Sequence, residues 1–365
     1  MARKPAKSEV ERLDCIEANA SRIRVIVQDP PRGTGDALRK VVEEAGKDDY
    51  LVIYSDVYLA RSEWSKVASM RPGDIVLAEV ADASQYGVAI VDDDGVVRGF
   101  VEKPQPDKAP SNLALAGIYA IPSEYLKHLK SLRPSPRGEL ELTDLLNLIA
   151  SEGGLNYITV REGPWRDVGR PWDYLLATRD ALERELTARV EGEVHPTAIL
   201  SGPVYVARGA YVGPFTVIEG PAYIGEDAKV GPSAHVRPYT ALLRGVKVGF
   251  SVEVKASILL EAAKAPHLNY VGDSIIGEGV NLGAGTITAN LRFDHKNVKM
   301  TVKGRRMDTG LRKLGAVIGG YAQTGINVSI MPGVKIGSYA WIWPGCVVWR
   351  DVASGERYRC WGGHE

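Results

Sequence analysis

Aliphatic side chains recur at every sixth position along the second half of the chain. Neither the 3.6-residue period of a helix nor the two-residue period of a strand produces such a hexad, whereas a parallel β-helix does. We therefore predict a solenoid whose coils are triangles of three short strands, with the hexad side chains stacked inside. The predicted inward positions are Leu200, Val206, Val212, Ile218, Ile224, Val230, Val236, Leu242, Val248, Val254, Leu260, Ile276, Leu282, Ile318, Ile330, Ile336, Ile342 and Val348.

The residues before the hexads alternate between strand and helix patterns, which predicts an α/β domain with a parallel or mixed sheet. Strands are predicted at 24–27, 50–53, 74–79 and 87–91, and helices at 35–46, 139–151 and 172–189. The apolar run at 50–53 is expected to be a buried parallel strand. The predicted domains are 1–185, the solenoid at 186–353 and a tail at 354–365. The hexads break at 261–269 and at 290–314, and both breaks are expected to be insertions that build a binding face.

Composition excludes some classes of function. Lysine and arginine number 45, as do aspartate and glutamate, so no nucleic-acid or polybasic membrane surface is expected. No apolar stretch approaches the roughly 20 residues that span a bilayer, and no secretory signal follows the basic N-terminus. The three cysteines lack metal-ligand spacing and predict no disulfide framework, so a cytoplasmic location is expected.

Arg237 and Lys255 are separated by 18 residues, which is one full coil, so both side chains should lie on the same face. Two stacked cations could clamp a phosphate. His267 follows them, and a neutral imidazole there could take a proton from an amine. Three alternatives stay open: a solvated histidine at His267, a surface lysine at Lys255, and nearby asparagines that form turns or a ladder inside the solenoid.

The first half contains a second group of candidate residues. Gly33 and Thr34 open a predicted helix, whose amide groups would favour a nucleotide phosphate, although a Gly-Thr-Gly sequence is often a plain loop. The carboxylates of Asp56 and Asp167 could hold Mg²⁺ near phosphates.

Taken together, these motifs resemble the bifunctional glucosamine-1-phosphate acetyltransferase / N-acetylglucosamine-1-phosphate uridylyltransferase family, and most closely its archaeal sugar-1-phosphate nucleotidylyltransferase type. The resemblance runs from about residue 24 to 351. It implies a Rossmann-like nucleotidyltransferase domain of the α/β class followed by an all-β left-handed parallel β-helix of hexapeptide repeats. The segments that carry it are 32–37, 138–144, 237–238, 252–255, 266–273 and 281–290.

The resemblance implies N-acetylation of an amino-sugar 1-phosphate by acetyl-CoA, followed by coupling to a nucleoside triphosphate with Mg²⁺. Homotrimers with active sites between subunits are implied as well. His267 would be the general base. Leu291 departs from the family's tyrosine. By the same resemblance, the substrate would be bound by Arg237, Lys255, Tyr270, Asn281 and Lys299, and the acetyl-CoA groove would be lined by Ala284, Asn290, Gly320 and Ala340. In the first half, nucleotide and sugar would be bound by Gly33, Thr34, Gly87 and Glu102, and the metal by Asp56 and Asp167.

Two features depart from the family in the first half. Leu115 replaces a sugar-contacting asparagine, and nothing before Arg24 resembles the opening strand and glycine-rich loop. Without that strand, apolar sheet edges should be exposed, and nucleotidyl transfer should be weak while acetyl transfer persists. Either the true start lies upstream or the first half is a natural remnant. The sugar configuration and the nucleotide base stay open. Two other hypotheses are a nucleotidyltransferase with the solenoid as an oligomerisation rod, and a non-catalytic regulatory subunit.

Overall fold

The computed structural model describes residues 24–360, which form two compact units. The first unit comprises the described residues up to Ile53 together with Ser69–Thr159. The second comprises Tyr54–Ala68 and the described residues from Val160 onward. Among these residues, no helix is long and apolar enough to cross a membrane.

The helices predicted in the first half are present, with slightly different bounds. Short 3₁₀ helices lie at Arg61–Glu63, Ala83–Gln85, Pro106–Lys108 and Ser123–Ser131. The α-helices are α1 (Thr34–Ala45), α2 (Trp64–Ala68), α3 (Leu142–Ser151) and α4 (Pro171–Glu185). The strands are β1 (Tyr50–Ile53), β2 (Val57–Leu59), β3 (Asp74–Glu79), β4 (Gly87–Val91), β5 (Val97–Glu102), β6 (Leu113–Ile121), β7 (Asn156–Arg161) and β8 (Trp165–Asp167).

The sheet of the first unit has the strand order β5-β4-β6-β3-β7, and β1 pairs with β6. The predicted buried parallel strand at 50–53 is wrong, because β1 runs antiparallel to β6 and alternates between half-buried and exposed side chains. Leu51 and Ile53 are 49% and 42% exposed. Residues 24–27 do not form the predicted strand, since no strand within 24–360 pairs with them.

The second half is a parallel β-solenoid interrupted by one antiparallel hairpin, β26–β27. Its strands in chain order are β9 (Arg189–Val190), β10 (Glu193–Val194), β11 (Ile199–Ser201), β12 (Val204–Val206), β13 (Tyr211–Val212), β14 (Val217–Glu219), β15 (Ala222–Ile224), β16 (Lys229–Val230), β17 (His235–Val236), β18 (Thr240–Leu242), β19 (Lys247–Phe250), β20 (Glu253–Lys255), β21 (Ile258–Leu259), β22 (Lys264–His267), β23 (Tyr270–Gly272), β24 (Ile275–Ile276), β25 (Ile287–Thr288), β26 (Lys299–Val302), β27 (Arg305–Asp308), β28 (Val317–Ile318), β29 (Gln323–Thr324), β30 (Ser329–Ile330), β31 (Lys335–Ile336), β32 (Trp341–Ile342), β33 (Val347–Val348) and β34 (Arg357–Tyr358).

Each coil crosses three faces in turn. The first face stacks β9, β12, β15, β18, β21, β24, β28 and β31; the third stacks β11, β14, β17, β20, β23, β25, β30 and β33. The second face consists of β10, β13, β16, β19 and β22, then β29, β32 and β34, linked through single bridges at Asn281. We name each corner by the faces it joins, so that the third–first corner is where a coil returns to its starting face.

The hexad prediction is confirmed for most of the solenoid, whose inward side chains form one continuous buried cluster. It is wrong at Leu260, because Leu259 takes the inward position and pairs with Leu242. The coil there is one residue short, since Val254 pairs with Val271, 17 residues later. The missing residue is lost at the third–first corner.

The two predicted breaks behave differently. Residues 261–269 are not a projecting insertion, because β22 stays in the second face and pairs with β19. Residues 290–314 do leave the solenoid, at the third–first corner, and carry the β26–β27 hairpin. We call them the basic insertion, because they contain eight lysines or arginines against two aspartates.

The end of the chain continues the solenoid as far as it is described. Strand β34 pairs in parallel with β32 inside the predicted tail. Cys346 and Cys360 are joined by a disulfide, so the expectation of no disulfide is wrong. The two cysteines are separated by 14 residues in the chain.

Candidate active site

A cavity of about 850 Å³ opens beside the third–first corner of the solenoid. Successive coils place Arg237, Lys255 and Asp273 on its wall, and Val236 pairs with Val254, so the predicted stacking of the two cations is confirmed. The opposite wall comes from α4 and from the basic insertion. The lining residues are Leu175, Leu176, Arg179, Arg237, Pro238, Tyr239, Lys255, Ala256, Asp273, Leu291, His295, Leu311, Arg312 and Lys313.

Both predicted phosphate ligands are already paired with carboxylates. The Nζ atom of Lys255 lies 3.0 Å from both carboxylate oxygens of Asp273, and these side chains are only 19% and 15% exposed. The guanidinium of Arg237 lies 2.9 Å from Oε1 of Glu253, and both of these side chains are 37% exposed. Sequence reasoning missed the two acids, although the 18-residue spacing from Lys255 to Asp273 was available.

A hydrogen-bond network continues from this ion pair. The side-chain amide of Asn290 donates to a carboxylate oxygen of Asp273, 2.5 Å away, and to the hydroxyl of Tyr270, 3.1 Å away. Burial raises the pKa of the Tyr270 phenol. The predicted residues Tyr270 and Asn290 therefore adjoin Lys255 through Asp273.

His267 lies at a different corner, where the second face meets the third. It pairs with Phe250 of the coil before and accepts a hydrogen bond at its carbonyl from Gly285 of the coil after. Its amide donates to Oδ1 of Asn269, whose Nδ2 donates to the Gly283 carbonyl, so the backbone is fixed. Its side chain is exposed, and within 24–360 no group hydrogen-bonds to its ring nitrogens.

The predicted base and the predicted phosphate ligands are not brought together in one chain. His267 is absent from the lining of the described cavity. From Phe250, beneath His267, to Lys255 the chain crosses the third face, which spans roughly 15 Å at 3.3 Å per residue. The two groups thus occupy opposite ends of the same side of the triangle.

The predicted acetyl-CoA residues are also divided between corners. Ala284 lies one coil from His267, and its carbonyl accepts from Asn327 of the following coil. Gly320 is at the first–second corner, and its carbonyl accepts from Tyr339. Ala340 is fully buried in the core, and its backbone amide and carbonyl are bonded to Gly337 and Gln323, so it presents no exposed surface to a cofactor.

The other two predicted substrate residues of the second half lie away from the cavity lining. Asn281 bridges Lys264 and Gln323 on the second face. Lys299 is exposed on the hairpin of the basic insertion.

In the first unit, the glycine–threonine segment packs against residues 138–144. Gly33 has φ +109°, and an added Cβ would lie 2.5 Å from the Leu140 carbonyl oxygen, so only glycine fits there. The Thr34 hydroxyl caps α3 by accepting from the Leu142 amide, 3.0 Å away, which gives it a structural role. The helix predicted to begin here is confirmed as α1.

Gly87 and Glu102 face each other on β4 and β5. Arg137 bridges Glu102 and Glu141, with 3.1 Å to each carboxylate. Arg137 was not predicted as a site residue, although it lies next to the recognised segment 138–144. The sugar site proposed on these two residues thus has a cation beside its carboxylate.

The two predicted metal ligands are neighbours in the second unit. Asp167 of β8 pairs with Val57 of β2, and the Val168 amide donates to the Asp56 carbonyl at 2.7 Å. Two carboxylates on paired strands fit the preference of Mg²⁺ for a few protein oxygens alongside substrate phosphates. Among the described residues no group of three or more His, Cys, Asp or Glu side chains that could hold a metal ion occurs.

The sequence profile described as nucleotidyl transferase matches residues 3–184. The bifunctional sugar-1-phosphate nucleotidylyltransferase/acetyltransferase of Sulfurisphaera tokodaii is 43% identical over 345 residues, which cover 94% of this chain and 84% of that protein. This chain belongs to that family. The bifunctional protein GlmU of Methanocaldococcus jannaschii, 40% identical over 92% of this chain and 80% of its own length, is a similar relative.

As a member of the bifunctional nucleotidylyltransferase/acetyltransferase family, the protein is a transferase with a Rossmann-like domain followed by a parallel β-solenoid. The family match begins at residue 3, within the segment where no resemblance was expected; that segment lies outside the described residues. A second profile, the GMPPB C-terminal domain, matches residues 218–309. A putative glucose-1-phosphate thymidylyltransferase from Bacillus anthracis aligns with 45% of this chain and 66% of its own, at 30% identity and a TM-score of 0.38.

Proposed function

We propose that this protein transfers the acetyl group of acetyl-CoA to the amine of an amino-sugar 1-phosphate, with glucosamine 1-phosphate as the substrate. The observation that carries the proposal is the 43% identity, over 94% of the chain, to a bifunctional acetyltransferase. The exposed imidazole of His267 on a rigid corner, one coil from Ala284, supports it.

In the proposed reaction, His267 removes a proton from the sugar amine. The amine nitrogen attacks the thioester carbonyl as that proton leaves, a C–N bond forms and the C–S bond breaks, and the CoA sulfur takes up the proton from His267 and leaves as a thiol. A positioned base of this kind contributes about 10²- to 10⁴-fold to a rate. Arg237 and Lys255 hold the phosphate, and Tyr270 and Asn290 position the sugar and the acetyl donor.

Because His267 and Lys255 lie at opposite ends of the third face, we propose that each acetyl-transfer site is built by two chains. The second–third corner of one chain would face the third–first corner of its neighbour. Cyclic repetition of that contact gives a closed homotrimer for a triangular solenoid.

Nucleotidyl transfer is the second proposed activity. The phosphate of the acetylated sugar would attack the α-phosphorus of a nucleoside triphosphate and release pyrophosphate. Asp56 and Asp167 would hold Mg²⁺, which neutralises phosphate charge. Gly33 would let the backbone approach the nucleotide, and Glu102 and Gly87 would contact the sugar.

The test is release of free thiol from acetyl-CoA with glucosamine 1-phosphate, for the unchanged chain and for His267→Ala. We expect the variant to lose at least about 100-fold in kcat. His235→Ala is the matched control, because His235 is a half-buried solenoid histidine bonded to Glu219, and it should retain full activity.

Unchanged turnover in His267→Ala would contradict the assignment of the base. Release of pyrophosphate from a nucleoside triphosphate and N-acetylglucosamine 1-phosphate, with no thiol release under any condition, would instead favour nucleotidyl transfer alone. Membership of a transferase family argues against the non-catalytic alternative.

A further inference from the structure

The two predicted cations, counted with the carboxylates that pair with them, give the cavity wall no net positive charge. Lys255 is paired with Asp273 and Arg237 with Glu253, so these four groups cancel. A phosphate monoester brings one to two negative charges, which further uncompensated cations would neutralise. Any positive charge in excess of these two ion pairs comes from other side chains of the cavity.

Three further cations line the same cavity: Arg179 of α4, and Arg312 and Lys313 at the end of the basic insertion. Within residues 24–360, none of the three forms an ion pair with a carboxylate. Arg179 lies over the ring of Tyr239, 4.5 Å from its centroid, which holds its guanidinium at the cavity wall. The cavity thus carries an excess of positive charge contributed by these three side chains.

Arg312 and Lys313 are borne by a fixed stretch of backbone. Lys313 forms an antiparallel bridge with Leu291, and the amide of the next residue, Leu314, donates to the Asn290 carbonyl at 3.0 Å. Leu314 itself is fully buried against Trp172 of α4. A fixed backbone lowers the entropy lost when the two side chains close on an anion.

We propose that Arg312 and Lys313, with Arg179, are the principal ligands of the substrate phosphate, and that Arg237 and Lys255 complete the site from the solenoid side. This inference rests on the proposed acetyl transfer and names its phosphate site. The guanidinium groups can bind phosphate oxygens in pairs. The volume of about 850 Å³ is ample for a sugar phosphate.

The test is calorimetric titration of glucosamine 1-phosphate into the full chain and into Arg312→Met/Lys313→Met. We expect the Kd to rise by about tenfold or more, as loss of two charge-assisted contacts implies. Lys303→Met/Arg305→Met is the matched control, since it removes the same charge from the same insertion at residues that do not line the cavity. The Kd of this control should change by less than about twofold, because salt screens the interaction between these distant charges and the bound phosphate.

Equal weakening in both double variants would show a general charge effect and overturn the proposal, as would an unchanged Kd in Arg312→Met/Lys313→Met. A phosphate-bearing acetyl donor is the other possible source of the anion. If the Kd for CoA rises in that variant while the Kd for glucosamine 1-phosphate does not, the proposal is also overturned.

The titration needs no turnover, so it separates this inference from the proposed function. Normal binding that depends on Arg312 and Lys313, with no thiol release, would support the phosphate site and contradict acetyl transfer. If Arg312→Met/Lys313→Met releases thiol with an unchanged KM for the sugar phosphate, that result would support acetyl transfer and contradict the phosphate site.

Discussion

Asp273 connects three predicted site residues and is the least replaceable acid of the cavity. It accepts hydrogen bonds from Lys255 and Asn290, and Asn290 in turn contacts Tyr270. Its side chain is 15% exposed, so Lys255 would lose its compensation in a partly dehydrated place if Asp273 were removed. Glu253, which plays the same part for Arg237, is 37% exposed and far better hydrated.

We therefore expect Asp273→Asn to cost about 2 kcal/mol, since breaking a largely buried pair leaves a charge uncompensated. Glu253→Gln should cost less than about 1 kcal/mol, as exposed pairs do. Differential scanning fluorimetry checks this. The solenoid should melt about 5 °C lower in Asp273→Asn and within about 2 °C of the unchanged protein in Glu253→Gln. Equal shifts of the melting temperature, or a larger shift for Glu253→Gln, would show that burial does not determine how much each ion pair stabilises the solenoid.

Single residues also show where sequence reasoning stopped. The 18-residue period placed Lys255 above Arg237 correctly, and the same period would have placed Asp273 close to Lys255, although the shortened coil pairs Lys255 with Gly272. The period could not show that Asp273 and Glu253 form ion pairs with Lys255 and Arg237, because a spacing predicts which residues are near each other and not which side chains pair.

Among the elements, the strands of the solenoid were predictable from the hexad, because each of the three sides of a coil needs one aliphatic side chain pointing into the interior. The shift from Leu260 to Leu259 was not, because two adjacent leucines satisfy the same pattern and the shortened corner is visible only in the pairing of Val254 with Val271. For β1, four apolar residues in a row do not reveal that two of them face outward.

The basic insertion is held by a small apolar cluster at its root. Met300 of β26 is fully buried with Val298 and Leu314 against Trp172, whereas Met307 of β27 is only partly buried. The position of Arg312 and Lys313 depends on this contact.

Met300→Ala should loosen the insertion, because replacing a fully buried methionine costs about 2–5 kcal/mol. Trypsin should then cut the insertion, which is rich in lysine and arginine, at least about tenfold faster, since cleavage follows the population of the opened form. The matched control, Met307→Ala, should be cut less than about threefold faster, because its side chain is only partly buried. Mass spectrometry of early fragments measures both rates. Cleavage of Met300→Ala at the rate of the unchanged protein would contradict the packing account.

For the whole molecule, a resemblance implied the residues for acetyl transfer and an assembly in which sites lie between subunits, and both stay predictions. In the sequence, His267 follows Lys255 by only 12 residues, which suggested that the two side chains lie near each other. This spacing did not show that a coil turns a corner on each side of the third face, which carries the two groups to opposite ends. That separation is the physical reason why one chain alone is not expected to form the site.

Subunit complementation tests this central claim most directly. His267→Ala and Lys255→Met should each be nearly inactive in thiol release when expressed alone. If each site takes His267 from one chain and Lys255 from its neighbour, randomly mixed trimers of the two variants contain intact sites and should recover about a quarter of the normal rate. Recovery to that level, in mixed trimers confirmed by native mass spectrometry, is the result we predict. Mixed trimers with no more activity than either variant alone would contradict the account.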